Sequence, residues 1–508
     1  MRAVWLLFAL PAALAFGAAP PAPADAGDAH DLVLLHPARP YRVRLHLRVA
    51  GRPFAERWDA QVAGLLAFLD ANGDGVLGKA EAAAAPSREQ WQQLSAGVNP
   101  IDPDAAPAFA ELARGKPAAT LADLRAYYAA SSAGPLQVRW AAASDATRRL
   151  SADLFERLDV DRDGVLSAAE LKAAPAVLRR LDANDDEMIT PNEVTATGYF
   201  EPAGPAFVTG APTGPAAGGS PFYSLRPGEG AAPLARLLAA QYAGTKNAPP
   251  PSGWLRRPPD LEVSAELAGG PAEIRLTPGR RPGVRVQHRH GELTAAAGDW
   301  RVAVRLGARP APPPRAPAAA RALFRTLDAD RSGWLESAEV QKPPFTYVSW
   351  LRLADRDGDG RVSEKEFVAF AALQQQVRGS MAFVRVVDHG QSLWHLLDSN
   401  RDGRLGLREI RDAAKRLGPA GRPPRQFEIT LSYGHNPPPG EGARAHPLPP
   451  RGPVWFRKMD RNRDGDVSPA EWLGTAEQFR AIDADGDGLI SAGEAERFDR
   501  AKRKVKDK

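Results

Sequence analysis

The chain has 508 residues, with 66 lysine and arginine against 61 aspartate and glutamate, a formal charge of +5, and no cysteine. The lack of cysteine excludes disulfides, thiolate nucleophiles and zinc-thiolate centres, and the length exceeds what one hydrophobic core organises, which points to three or more domains. Glycine (46) and proline (48) are frequent enough that long stretches should be turns and spacers.

Residues 1–26 read as a secretory leader: Arg2 gives a positive start, Ala3 to Phe16 is an apolar run of leader length, and small residues follow. The run is too short, and too interrupted by Pro11, to span a bilayer. No later segment is apolar enough to do so, and no cysteine follows to carry a lipid. The expectation is an exported chain, in a periplasm, at a cell surface or in the medium, with no transmembrane helix after processing.

The first unit, 27–135, opens with Tyr41 to Val49, which alternates apolar and basic residues as a half-buried strand does. Trp58, Val62, Leu65, Leu66 and Leu69 then follow helical spacing into twelve residues, Asp70 to Glu81, suited to a hard divalent cation. Asp70, Asn72 and Asp74 offer side-chain oxygens at positions 1, 3 and 5, Val76 its carbonyl at 7 and Glu81 a carboxylate at 12; Gly75 turns the chain at 6 and Leu77 is the apolar residue at 8. A neighbouring stretch, Leu112 to Asp123, has the same outline with Leu112, Arg114 and Lys116 where oxygens belong, and reads as a hand that has lost its metal and kept its shape.

Unit 136–200 contains a short strand, Leu136 to Trp140, a helix, Ser151 to Leu158, and two loops. The ligands of the first are Asp159, Asp161, Asp163, Val165, Ser167 and Glu170, and of the second Asp182, Asn184, Asp186, Met188, Thr190 and Glu193. Their starts, Asp159 and Asp182, are close in sequence, and the two are expected to form one compact pair. Glu187 replaces the position 6 glycine, so the second loop should be weak or distorted. Residues 201–259 are a Pro/Gly-rich linker with one amphipathic piece, Leu234 to Tyr242. In 260–308, alternating runs from Leu261, Ile274, Val284 and Trp300 suggest a small antiparallel β module. His288 and His290 fall on one run and read as solvent-facing strand residues without a third metal ligand.

After the stiff run Pro310 to Pro317, unit 309–375 carries another pair. Its ligands are Asp328, Asp330, Ser332, Trp334, Glu336 and Glu339, then Asp355, Asp357, Asp359, Arg361, Ser363 and Glu366. Unit 376–420 has a strand, Phe383 to Val387, and a single loop with Asp398, Asn400, Asp402, Arg404 and Glu409. A strand through Phe427, Ile429, Leu431 and Tyr433 and a linker fill 421–453. The last pair, in 454–500, uses Asp460, Asn462, Asp464, Asp466, Ser468 and Glu471, then Asp483, Asp485, Asp487, Leu489, Ser491 and Glu494; a basic tail, 501–508, ends the chain.

The eight loops hold 32 acidic and 11 basic residues, a net of −21, which leaves about +26 on everything else. Arginine is scattered through linkers and strands rather than stacked with aromatics on one helix face, which argues against a nucleic-acid partner. A surface that turns cationic as the loops fill favours an anionic envelope polymer.

With Asp at position 1, Asp or Asn at 3, Leu, Ile or Val at 8 and Glu at 12 in all eight, the chain resembles the secreted or surface EF-hand repeat proteins of GC-rich bacterial genomes. The resemblance covers the loops and their flanking helices. It implies Ca2+ at positions 1, 3, 5, 7, 9 and 12, and no catalytic activity. Glutamate at every twelfth position sets the loops apart from dockerin modules. The fold class expected is mostly α, with EF-hand helix-loop-helix pairs joined by short β segments and Pro-rich linkers.

There is no nucleophile elbow, His-Glu-x-x-His or Walker loop, and the glycine pattern Gly73 to Gly78 lies inside a calcium loop behind a helix, so no catalytic residue is assigned. The leading expectation is an exported calcium-binding protein whose metal acts as the structural staple of a scaffold or interaction protein. Its partners would be calcium ions and an anionic envelope polymer or another exported protein. Four methionines disfavour a sensor that opens a Met-rich groove. The alternatives are a calcium-dependent sensor or adhesion module, and an enzyme or carbohydrate-binding unit in the central β module, where Trp300 is the only aromatic within the strands.

Overall fold

The computed structural model describes residues 29–36, 39–96, 107–129, 136–195, 208–209, 222–225, 232–242, 254, 257–267, 273–276, 284–289, 292–297, 299–307, 316–340, 353–378, 381–417, 421–433 and 451–506. The expected leader and His290 lie outside them. Among the described residues 43 % are helical and 25 % are in strands, so the expectation of a mostly α chain is incorrect. The short alternating runs are not accessories to the helices. They assemble into two sheets.

One sheet has the strand order Phe222–Leu225, Ala29–Leu35, Pro40–Val49, Leu261–Glu266, Glu273–Leu276, with Arg52–Pro53 also on Pro40–Val49. The other runs Arg285–Arg289, Glu292–Ala297, Trp300–Leu306, Arg425–Tyr433, Ala382–Gly390, Leu136–Ala142, Val208–Thr209. Each strand has an apolar face that a single sheet in water would leave wet, and stacking two sheets buries both. Leu32, Val43, Leu45, Leu261 and Val263 from the first meet Trp300, Val302, Val304, Val384, Val386, Ile429 and Leu431 from the second in one core. Tyr41 and Trp300 rings are 4.4 Å apart across it. The region 260–308 is therefore divided between two sheets rather than a module of its own. Trp300 is 1 % exposed and gives no platform for a sugar ring.

The helical units are inserted between these strands. Phe54–Leu69 leaves directly from Arg52–Pro53, Asp145–Leu158 follows Leu136–Ala142, Ala316–Leu327 follows Trp300–Leu306, and Leu393–Leu397 follows Ala382–Gly390. They gather into three cores. The first joins Trp58, Val62, Leu65, Trp91, Leu124 and Tyr128 to Phe324, Phe367, Phe370 and Leu373, bringing the first, fourth and fifth loops together. The second joins Leu150, Leu154, Leu158, Leu171 and Leu178 to Leu393, Trp394, Leu397 and Ile410, around the second, third and sixth. The third, Phe456, Val467, Phe479, Ile482 and Ile490, belongs to the last two.

Pairing of the apolar residue at the eighth position of each loop follows these cores rather than the sequence order. Leu335 pairs with Val362, and Val467 with Ile490. Leu77 and Ala119 exchange both backbone hydrogen bonds at 2.9 Å, which makes 112–123 the partner of the first loop. The second and third loops, expected as a pair, are apart: Ile189 pairs with Leu405 of the sixth loop, and the Leu166 amide donates to the Gly421 carbonyl at 2.8 Å. The cause lies between them. Ala168–Arg179 is a 12-residue helix, about 18 Å long, and it holds the two loops at opposite ends. In the last pair the same spacing contains Gly474 and the capping residue Thr475, which restarts a helix at Ala476 and lets the loops meet. Among the described residues no helix is long and apolar enough to cross a membrane.

Candidate metal centres

All eight loops adopt one backbone shape. Positions 4 and 6 take positive φ in every one, from Gly73 (+77°) and Gly75 (+83°) in the first to Gly486 (+70°) and Gly488 (+81°) in the eighth. Position 6 is glycine in seven and Glu187, at +63°, in the third. A side chain in that region is strained by contact of Cβ with the following carbonyl.

The curl is held by the same hydrogen bonds each time. The position 1 carboxylate accepts the position 6 amide, as in Gly75 to Asp70 (2.9 Å), Glu187 to Asp182 (2.8 Å), Gly360 to Asp355 (2.9 Å) and Gly488 to Asp483 (3.0 Å). Position 5 accepts from the position 7 amide: Val76 to Asp74, Val165 to Asp163, Arg404 to Asp402 and, through a hydroxyl, Trp334 to Ser332. The twelfth residue closes the ring by accepting the position 2 amide on one oxygen and the position 9 amide on the other, for example Arg461 (2.7 Å) and Ser468 (3.1 Å) on Glu471. Glu81, Glu170, Glu193, Glu339, Glu366, Glu409 and Glu494 do the same.

This wiring turns carboxylates inward. In five loops three acidic groups have ligand oxygens within 4.8 Å of one another: Asp159, Asp161 and Glu170; Asp328, Asp330 and Glu339; Asp355, Asp357 and Asp359; Asp398, Asp402 and Glu409; Asp483, Asp485 and Glu494. Among the described residues the loops from Asp70, Asp182 and Asp460 have no such triad. Asn72, Asn184 and Asn462 stand at their third positions. Oδ1 of Asp328, Asp460 and Asp483 is buried with no hydrogen-bond partner. A buried anionic oxygen without a partner is costly, and an all-oxygen set of this size fits Ca2+.

Crowding without a cation raises several of these acids. Burial, with Glu409 and Asp402 beside it, pushes Asp398 up to about 8. Burial and the neighbouring Asp466 push Asp464 up to about 8, and burial with Glu471 pushes Asp460 up to about 6. The sixth loop is also tied to the sandwich: Arg401, at its fourth position, pairs with Glu428 and lies 3.1 Å from Glu292. Despite its burial, Glu428 stays well below the usual carboxylate range because Arg401 and Arg305 flank it.

In the stretch 112–123 the cation is part of the chain. Lys116 Nζ lies 2.7 and 3.0 Å from the two oxygens of Asp123, the twelfth-position acid, and Thr120 donates to that carboxylate through its amide (3.0 Å) and hydroxyl (2.6 Å). The sign of this in the sequence is a lysine at a ligand position facing an acid at position 12. Gly421, as partner of Leu166, had no such sign. A Cβ there would collide with the Val165 side chain and the Leu166 carbonyl, so only glycine fits.

The EF-hand family model matches residues 152–174, 348–371, 454–473 and 476–498, around the second, fifth, seventh and eighth loops. A curated protein of Arabidopsis thaliana, EH domain-containing protein 2, is 36 % identical over 69 residues, which cover 14 % of this chain and 11 % of that protein. The matched region is thus about a tenth of that relative's length. No solved structure matches the chain. EF-hand motifs are present, and the matches support calcium binding.

Proposed function

We propose that this is an exported calcium-binding scaffold with eight calcium loops, in which the metal acts mainly as a structural staple. The observation that carries the reading is the repetition of one hydrogen-bond circuit in loops that close cores between distant parts of the chain. Ile189 to Leu405 is the clearest instance. Calcium supplies positive charge to carboxylates that otherwise repel. The chain's own residues supply the rest: backbone amides fix the acids in place, the apolar eighth positions pair the loops, and helices deliver that order to the sandwich. Binding free energy then becomes folding free energy. The apolar run Ala3 to Phe16 supports export. The excess of arginine outside the loops fits an anionic polymer, or another exported protein, as partner. No catalytic step is assigned.

A calorimetric titration of the protein without residues 1–26, followed in parallel by far-UV circular dichroism, tests this. Uptake near eight equivalents with a gain in helix and melting temperature is the expected result. Uptake with no change in melting temperature would remove the staple role, and no uptake would remove calcium binding.

A further inference from the structure

The third, sixth, seventh and eighth loops meet at one junction. Arg408, beside Glu409 of the sixth loop, donates from Nε to Asp466 Oδ2 at 2.8 Å and from Nη1 to Asp487 Oδ2 at 2.5 Å. Arg411, one turn on, donates to the Asp487 carbonyl at 2.7 Å. Asn462 of the seventh loop donates to the Asp186 carbonyl of the third at 3.0 Å. Gly406 faces Asp464 so closely that a Cβ would come within 3.2 Å of its carboxylate. The C-terminal pair is therefore docked on the second helical core through residues in or beside calcium loops.

Asp487 is the fifth-position acid of the eighth loop. Its Oδ1 takes the Leu489 amide at 2.9 Å, as position 5 does elsewhere, which leaves Oδ2 for a cation. In the first, third and sixth loops that second oxygen accepts from the third-position asparagine of the same loop. The eighth loop has Asp485 there, and its free oxygen is held by an arginine from a different hand. Among the described residues no other loop has its position 5 carboxylate paired with a cation from outside the loop. The contact is half-exposed, with side chains 31 % and 32 % accessible, so an ion can reach it.

We propose that Arg408 is a tethered counter-cation of the eighth loop, competing with calcium for Asp487 and so opposing occupancy of that loop to docking of the C-terminal pair. The proposal rests on the reading of 483–494 as a calcium site. A cation held by Asp483, Asp485 and Glu494 would bring two positive charges beside the guanidinium and compete with it for the Asp487 carboxylate, while the Nε contact to Asp466 could remain. Metal-free, the pair is latched on the second core; loaded, it keeps one arm fewer.

The test is a calcium titration of the full chain as wild type, Arg408→Met and Arg408→Lys, each with and without Glu494→Gln, which identifies the eighth-loop equivalent. If Glu494→Gln removes no equivalent from the wild type, the underlying reading of the loop fails. If it does, the Glu494-sensitive equivalent should bind about fivefold more tightly in Arg408→Met, the scale of a half-exposed ion pair. Arg408→Lys, able to reach one acid at a time, should fall between. Hydrogen exchange gives a second readout. In chelator, amides 484–491 should exchange faster in Arg408→Met than in wild type, and the difference should shrink in calcium. Unchanged or weaker binding of that equivalent in a variant whose other equivalents are intact would overturn the proposal.

Discussion

The Lys116 ammonium sits 2.7 Å from Asp123, where the other hands present a twelfth-position acid to their ring of oxygens. The partner of the first loop is thereby closed whether or not calcium is present. Lys116 and Thr120 hold Asp123 below the usual carboxylate range. A group depressed in the folded state adds stability above its unfolded value near 4, lost as pH falls further. Lys116→Met should lower the melting temperature by a similar amount with calcium and with chelator, because the cation it removes is covalent. A loss confined to the calcium-free protein would contradict this.

The raised acids give the opposite pH dependence. Asp398 and Asp464, near 8 when folded without metal, bind more protons folded than unfolded between about pH 4 and 8, so calcium-free stability should fall as pH rises through that window. Calcium reverses the slope, because loading requires the protons to leave. Thermal melts at a series of pH values, with chelator and with calcium, should therefore diverge. Parallel curves would show that these acids do not share a site with the metal.

Relief of strain at position 6 of the third loop is measurable. Glu187 holds φ +63°, and Glu187→Gly should stabilise the calcium-loaded protein by about 1 kcal/mol, the strain of a left-handed side chain less the added freedom of glycine unfolded. Denaturant unfolding in excess calcium reads this directly, and a loss of stability would mean that the Glu187 side chain has a role of its own.

Leu405 is fully buried against the second core and pairs with Ile189. Leu405→Ala should cost about 2–5 kcal/mol and weaken calcium uptake at both the third and sixth loops, although one begins at Asp182 and the other at Asp398. Weakening of the sixth loop alone would show that the bridge does not transmit order.

What the sequence made legible was whatever fits inside one short window. Each loop packs its ligands into twelve consecutive positions, so Asp483 to Glu494 can be read without knowing where the chain goes next. The strands through Val43 and Ile429 were visible by their alternation. Their assembly was not, because Val43 pairs with Leu261 and the Tyr41 ring packs at a tilt against Trp300, and nothing in an alternating run names its partner. Spacing misled at one place for a clear reason. The interval from Asp159 to Asp182 equals that from Asp460 to Asp483, but an unbroken helix keeps the first two loops separate while Gly474 and Thr475 fold the second two together.

Insertion of the hands between strands also sets a timetable. On a ribosome, Leu65 emerges long before Phe367, the side chain that helps close its core. At ordinary elongation rates the stretch between them takes about 15–60 s to make. During it the first loop exists without the wall it packs on, and its apolar residues stay exposed. The C-terminal pair, whose core is drawn from 456–498, has no such delay. Its apolar contacts all fall within one short stretch of chain.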